Sequence, residues 1–159
     1  MKPLIDCLIN RTSYSENNRS ISIKGDRNEQ VLFFKIDGCY IGSHGSRKCD
    51  LLIIYSDSEW RFLILVELKG KKIEDAIEQF KQTIQNERFR YIFDKNICKN
   101  CKNDRCKKVF VIVHSGGISL TSDLKDEMMR KYGFILETKQ GNCNLKEVIN
   151  KYKKYYRKK

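Results

Sequence analysis

The stretch Asp50–Lys69, DLLIIYSDSEWRFLILVELK, limits what this chain can fold into more than any other part of it. LLIIYS and RFLILVELK are apolar runs of strand length, and the polar DSEW between them is a turn. Joined by so short a turn, they predict an antiparallel hairpin in a sheet with helices against it. A turn closed with Ser56 facing Arg61 carries the antiparallel register out to Asp50 opposite Glu67. Side chains alternate along a strand, so Glu67 and Lys69 leave the same face, and Asp50 joins them at the same end of the sheet.

Other segments supply the layers. VLFFKI, Asp37-Gly38 and CYIG read as a first hairpin. IEDAIEQFKQTIQNERFRYIF spaces Ile73, Ala76, Ile77, Phe80 and Ile84 along one face of a long helix. The strand KVFVIVHS, a helix from Thr121 to about Gly133, the strand FILETK and a basic helix from about Asn144 complete the order. This succession predicts an α/β fold, a mixed central sheet with flanking helices. A chain of 159 residues suits one domain. Residues 1–28 read as a less regular N-terminal extension and 94–108 as a cysteine-rich basic loop.

Asp50 and Glu67 need an explanation, because directly opposed residues have Cβ atoms about 4.5–5.5 Å apart and two carboxylates that close repel each other. A hard divalent cation removes the conflict. Mg²⁺ or Mn²⁺ takes oxygen ligands and keeps waters and substrate phosphate oxygens in its shell. Lys69 beside such an ion orients or helps deprotonate a water, the equipment for hydrolysing a phosphodiester. A solvated strand end is the plain alternative.

Asp50 followed by Glu67-Leu68-Lys69, in the order hairpin, helix, strand, resembles the PD-(D/E)xK nuclease superfamily over about residues 29–113. Cys49 stands where the family's name has proline. The resemblance implies a restriction-endonuclease-like fold and a metal-dependent nuclease, with Asp50 and Glu67 as metal ligands, Lys69 as the catalytic lysine, and DNA rather than RNA as substrate. It also implies two further candidates. Glu29 matches the acidic residue that many such nucleases carry upstream of the first core strand, and Gln79, with Gln82 one turn on, matches a glutamine some have on the helix after the lysine. A non-catalytic nucleic-acid-binding accessory protein on the same fold is the alternative. Nucleases that cut both strands often act as symmetric dimers, so a homodimer stays open.

The balance of 32 Lys and Arg against 20 Asp and Glu, a net charge of +12, favours a polyanionic partner. Arg47, Lys48, Lys71 and Lys72 flank the proposed centre and are the expected backbone contacts. A second basic group, Lys146 to Lys159, is interleaved with Tyr152, Tyr155 and Tyr156, a pattern suited to phosphate neutralisation and base stacking or to a solvated helix face. Cys98, Cys101 and Cys106 in CKNCKNDRC form part of a Zn²⁺ or iron–sulfur ligand set, with Cys39, Cys143, His44 or His114 open as the fourth, or are thiols in a loop. His44 reads as a loop residue and His114 as a structural histidine. No run approaches the roughly 20 apolar residues of a membrane helix, and the N-terminal stretch is too interrupted for a signal peptide. The expected setting is cytoplasmic, without a membrane, and with the seven cysteines reduced or metal-bound rather than in disulfides.

Overall fold

In the computed structural model, which describes residues 2–42, 47–69, 72–92, 105–117 and 119–158, a 3-10 turn over Leu4–Cys7 leads into β1 (Leu8–Ile9), β2 (Ser13–Glu16) and β3 (Arg19–Ser22). There follow β4 (Gln30–Lys35), β5 (Leu51–Ser56), β6 (Arg61–Lys69), α1 (Ile73–Gln85) and α2 (Glu87–Arg90). The described chain continues through β7 (Cys106–His114), α3 (Ser122–Tyr132), β8 (Phe134–Gln140), β9 (Asn142–Asn144) and α4 (Leu145–Tyr156).

The main sheet has six strands in the order β1-β4-β5-β6-β7-β8. The first four are antiparallel to their neighbours, whereas β6, β7 and β8 run parallel, so the sheet is mixed. The predicted hairpin forms with Ser56 paired to Arg61 and Leu51 to Val66. Every residue of β6 from Phe62 to Leu68 is buried, because both faces are covered. Leu63 and Leu65 enter one core with Ala76 and Phe80 of α1 and Met128 of α3. Phe62, Ile64 and Val66 enter the other with Ile21 of β3 and Val148 and Ile149 of α4. At about 1.5–3 kcal/mol for each large apolar side chain removed from water, this two-sided burial is what the unbroken apolar run encodes.

A second sheet, β2-β3-β9, lies over the α4 face. Its hairpin turns at Asn17 and Asn18, both at positive φ (49° and 61°), a backbone state asparagine tolerates and two-residue hairpins require. β3 pairs in parallel with β9, so residues 1–28 are not an extension: they supply β1 to one sheet and β2 and β3 to the other.

Four other expectations are corrected. The Asp37-Gly38 turn does not open a hairpin. Gly38 takes φ 70° and the chain curls back, with the amides of Cys39 and Ile41 donating to the Ile36 carbonyl, so that Tyr40 and Ile41 become core residues while β4 pairs with β5. The long helix is interrupted at Asn86, which is extended (ψ 126°) and accepts from the Arg88 amide to cap α2. The basic loop is shorter than 94–108, since Cys106, Lys107 and Lys108 begin β7. Cys7 and Cys39 are joined in a disulfide, against the expectation of reduced thiols, and it ties the N-terminal turn to the loop after β4. The helix from Thr121 to Gly133 and the helix capped by Asn144 form as predicted; Gly133 is left-handed at φ 68°.

Candidate active site

Asp50 lies one residue before β5 and Glu67 near the end of β6, as the register predicts. The Asp50 carboxylate accepts from the Leu68 amide at 2.7 Å. Lys69 places its ammonium 2.7 Å from Gln79 Oε1 and 3.8 Å from Glu67 Oε1. Asp50, Glu67, Lys69 and Gln79 are therefore brought together.

Helix α1 fixes this geometry from one side. Gln79 donates to the Lys48 carbonyl at 3.3 Å, and the Thr83 hydroxyl accepts from the Cys49 amide at 2.8 Å while donating to the Gln79 carbonyl. One amide thus holds Lys69 and the backbone that delivers Asp50, so Gln79 is a clamp between the two strands rather than a group turned to solvent. Gln82 donates to Glu78, and its carbonyl receives the Lys48 ammonium at 3.2 Å.

Glu67 is 2% exposed and its Oε2 has no hydrogen-bond partner. Leaving a buried carboxylate oxygen unmatched costs at least 1–3 kcal/mol, roughly, relative to a satisfied one. Burial, then the Asp50 charge, push the Glu67 carboxyl up to about 8, against opposing contributions from Lys69 and the Asp50 amide. Asp50 is pushed up to about 6, by burial first and by Glu16 and Asp37, while the Leu68 amide and Lys69 oppose. Burial thus works against the ionised form of both carboxylates.

Glu16 and Asp37, which the sequence reading missed, belong to this electrostatic neighbourhood. Both raise Asp50, and together with burial and Asp50 itself they raise the Tyr14 phenol to about 12. The signal for Asp37 was strand direction. With β4 antiparallel to β5, the residue after β4 comes to Asp50's end of the sheet and the residue before β4 goes to the other. Glu29 is accordingly not in the site. It sits past the Gln30–Ser56 pair, where it takes the Tyr55 hydroxyl, the Asp26 amide and Lys146.

Among the described residues no three His, Cys, Asp or Glu side chains are gathered closely enough to form a metal cage. A site with two protein carboxylates fits Mg²⁺ or Mn²⁺, whose remaining positions go to water and phosphate. The cysteine set fares differently. Cys98, Cys101 and His44 lie outside the described residues. Cys106 opens β7, whereas His114 ends the same strand, about 26 Å away at 3.3 Å per residue. Cys39 is in the disulfide, and Cys143 is buried in the core under α4.

Of the expected backbone contacts, Arg47 and Lys72 are exposed, Lys48 is buried, and Lys71 lies outside the described residues. The basic helix α4 is largely occupied internally: Lys146 pairs with Glu29 and Asp26, Lys151 with Glu137, Lys153 with Asp57, and Arg157 with Glu59. A cleft of about 380 Å³ lies at the far end of α1, over Phe89, Tyr132 and Phe134. No helix among the described residues is long and apolar enough to cross a membrane.

Compared with known proteins, the chain matches no family model, no curated protein and no solved structure.

Proposed function

We propose that this protein is a metal-dependent nuclease of the PD-(D/E)xK type, with a restriction-endonuclease-like core and DNA as its substrate. The observation that carries the reading is Glu67: a buried carboxylate with an unpartnered oxygen, beside a second, half-buried carboxylate and a lysine. Lys69 holds Gln79 Oε1 at 2.7 Å and bridges Glu67 Oε1 only at a long 3.8 Å, so Glu67 Oε2 stays without a hydrogen-bond partner.

Asp50 and Glu67 would hold the ion. When bound it would offset charge on the phosphate and lower the pKa of a water. Lys69, held by Gln79, orients that water toward phosphorus and offsets the negative charge that grows on the nonbridging oxygens. The Leu68 amide fixes one Asp50 oxygen, so the other is the oxygen presented to the site. Arg47 and Lys72 bracket the centre as cations for the backbone.

The test is cleavage of linear duplex, single-stranded and branched DNA and of RNA, with Mg²⁺ or Mn²⁺, by wild type and by Glu67→Ala and Lys69→Ala. Metal-dependent cutting reduced at least about 100-fold in both variants is the expected result, the scale of losing a positioned proton-transfer group. Binding without cutting would instead make the protein a nucleic-acid-binding module.

A further inference from the structure

β6, β7 and β8 are parallel and end together. Lys69 is paired with His114, and His114 with Gln140, so three polar residues stand side by side along the carboxyl rim of the sheet. Their faces agree. Phe110 and Ile112 lie in the core beneath α1 and α3, as do Leu63 and Leu65 of β6 and Phe134 and Leu136 of β8. Alternation therefore puts His114 and Gln140 on the face that carries Glu67 and Lys69.

The ring of His114 is set for one job. It is 5% exposed, and its Nδ1 accepts the Gly116 amide at 3.1 Å, a contact made possible by a turn in which Gly116 and Gly117 have φ 138° and 74°. Nδ1 being the acceptor, the neutral ring carries its proton on Nε2. With Nδ1 taken by Gly116, the ring's N–H is at Nε2, which is not one of the fully buried unpaired atoms and so opens on the rim beside the proposed centre. Burial lowers the ring's pKa, so it stays a neutral donor.

Two features draw an anion to this rim. α1 starts three residues after Lys69 is passed, and α3 ends one residue before β8, so both helices direct their N-termini toward it. Parallel strands of α/β sheets present ligands at their carboxyl ends.

Resting on the nuclease reading, the geometry points to His114 as a substrate-contacting residue: its Nε2–H donates to a phosphate oxygen of the nucleotide next to the one being cut, and the substrate backbone runs along the rim from Lys69 toward Gln140. His114 thereby positions the strand and does not touch the ion.

The histidine's two nitrogens can be replaced one at a time. His114→Asn keeps an acceptor near Nδ1 for Gly116 and loses the far donor, while His114→Gln keeps a donor near Nε2. With Ca²⁺ in place of Mg²⁺ to block cutting, DNA binding by His114→Asn is expected to weaken about tenfold, as for one lost hydrogen bond to a charged group, and KM to rise with kcat little changed. His114→Gln should restore most of the affinity. In wild type, the ¹⁵N shift of Nε2, assigned against His44→Asn, should move on adding the oligonucleotide, a readout independent of how the variants fold. Equal DNA affinity of wild type and His114→Asn, or an Nε2 signal indifferent to DNA, overturns the proposal. If wild type cuts and Glu67→Ala does not while either of those holds, only the His114 inference falls. If wild type neither binds nor cuts, the nuclease reading falls and takes this one with it.

Discussion

Glu67 ties stability to chemistry in one residue. Its folded-state carboxyl is raised to about 8 by burial and Asp50, from an unfolded value of about 4.3. Between those values the folded state holds a proton that the unfolded chain has released, so metal-free stability is full below about pH 4 and falls as pH rises through the folded value. Thermal melts of metal-free protein should therefore show a falling midpoint from pH 5 to 8, with Mg²⁺ recovering it. Glu67→Gln should stabilise the metal-free protein at pH 8 by about 1–3 kcal/mol, the range for relieving an unsatisfied buried polar group, and should flatten the pH slope while eliminating activity. At Gln79, replacement by Ala frees Lys69 but leaves Thr83 holding the Cys49 amide. Cleavage should fall about tenfold, one hydrogen bond's worth, with metal affinity near wild type by calorimetry.

At the scale of elements, α4 is fastened to the end of the sheet opposite the candidate site. The Lys153 ammonium reaches both Asp57 and the Tyr55 hydroxyl, and Tyr55 in turn donates to Glu29, which also takes Lys146. Burial pushes Asp57 and Glu29 up, yet these partners outweigh it and hold each at about 2. The sign is opposite to that of Glu67: this stability is present above about pH 4 and is lost as pH falls toward 2. Lys153→Met should destabilise by about 1.5–3 kcal/mol, as for a hydrogen bond to a charged group, and denaturant unfolding at pH 7 and pH 3 should show the difference shrinking in acid.

The same elements show what the sequence made legible. The register of β5 with β6 could be read because a short polar turn leaves little freedom between two apolar runs, and Asp50 and Glu67 came with it. Gln79 was legible as a position but not as a clamp, since its partners include the Lys48 carbonyl on another segment. Glu29 came from the resemblance and was misplaced, Asp37 was missed because β4 was paired with the wrong neighbour, and Glu16 was missed because it lies on β2 of the small sheet, whose strands were not foreseen. An aspartate-glycine turn favours chain reversal, but Tyr40 and Ile41 gain more by entering the core than by extending a strand. The parallel pairing of β3 with β9 joins distant segments and leaves no local signature.

For the molecule as a whole, the Cys7–Cys39 bond closes a separation of 32 residues. Chain-entropy arguments give about 3–4 kcal/mol for a loop of that size. Cys7→Ser should lower stability by about that amount, measured against wild type by denaturant unfolding in oxidising buffer. Because Tyr40 and Arg88 bond each other's carbonyls beside this link, the loss should also loosen the hold of α2 on the turn after β4.

The partnership of β3 with β9 has a consequence in time. The Ser20 hydroxyl bonds Asn142 across 122 residues, so the small sheet that covers one core cannot close until Asn142 has been synthesised. Pairing over such a separation is slow to form. A nascent chain emerging from the ribosome would carry Asp50, Glu67 and Lys69 long before Glu16 and Tyr14 are fixed beside them. The acidic and phenolic neighbours of Asp50 are thus among the last parts of the molecule to set, a delay built into the order in which its strands are made.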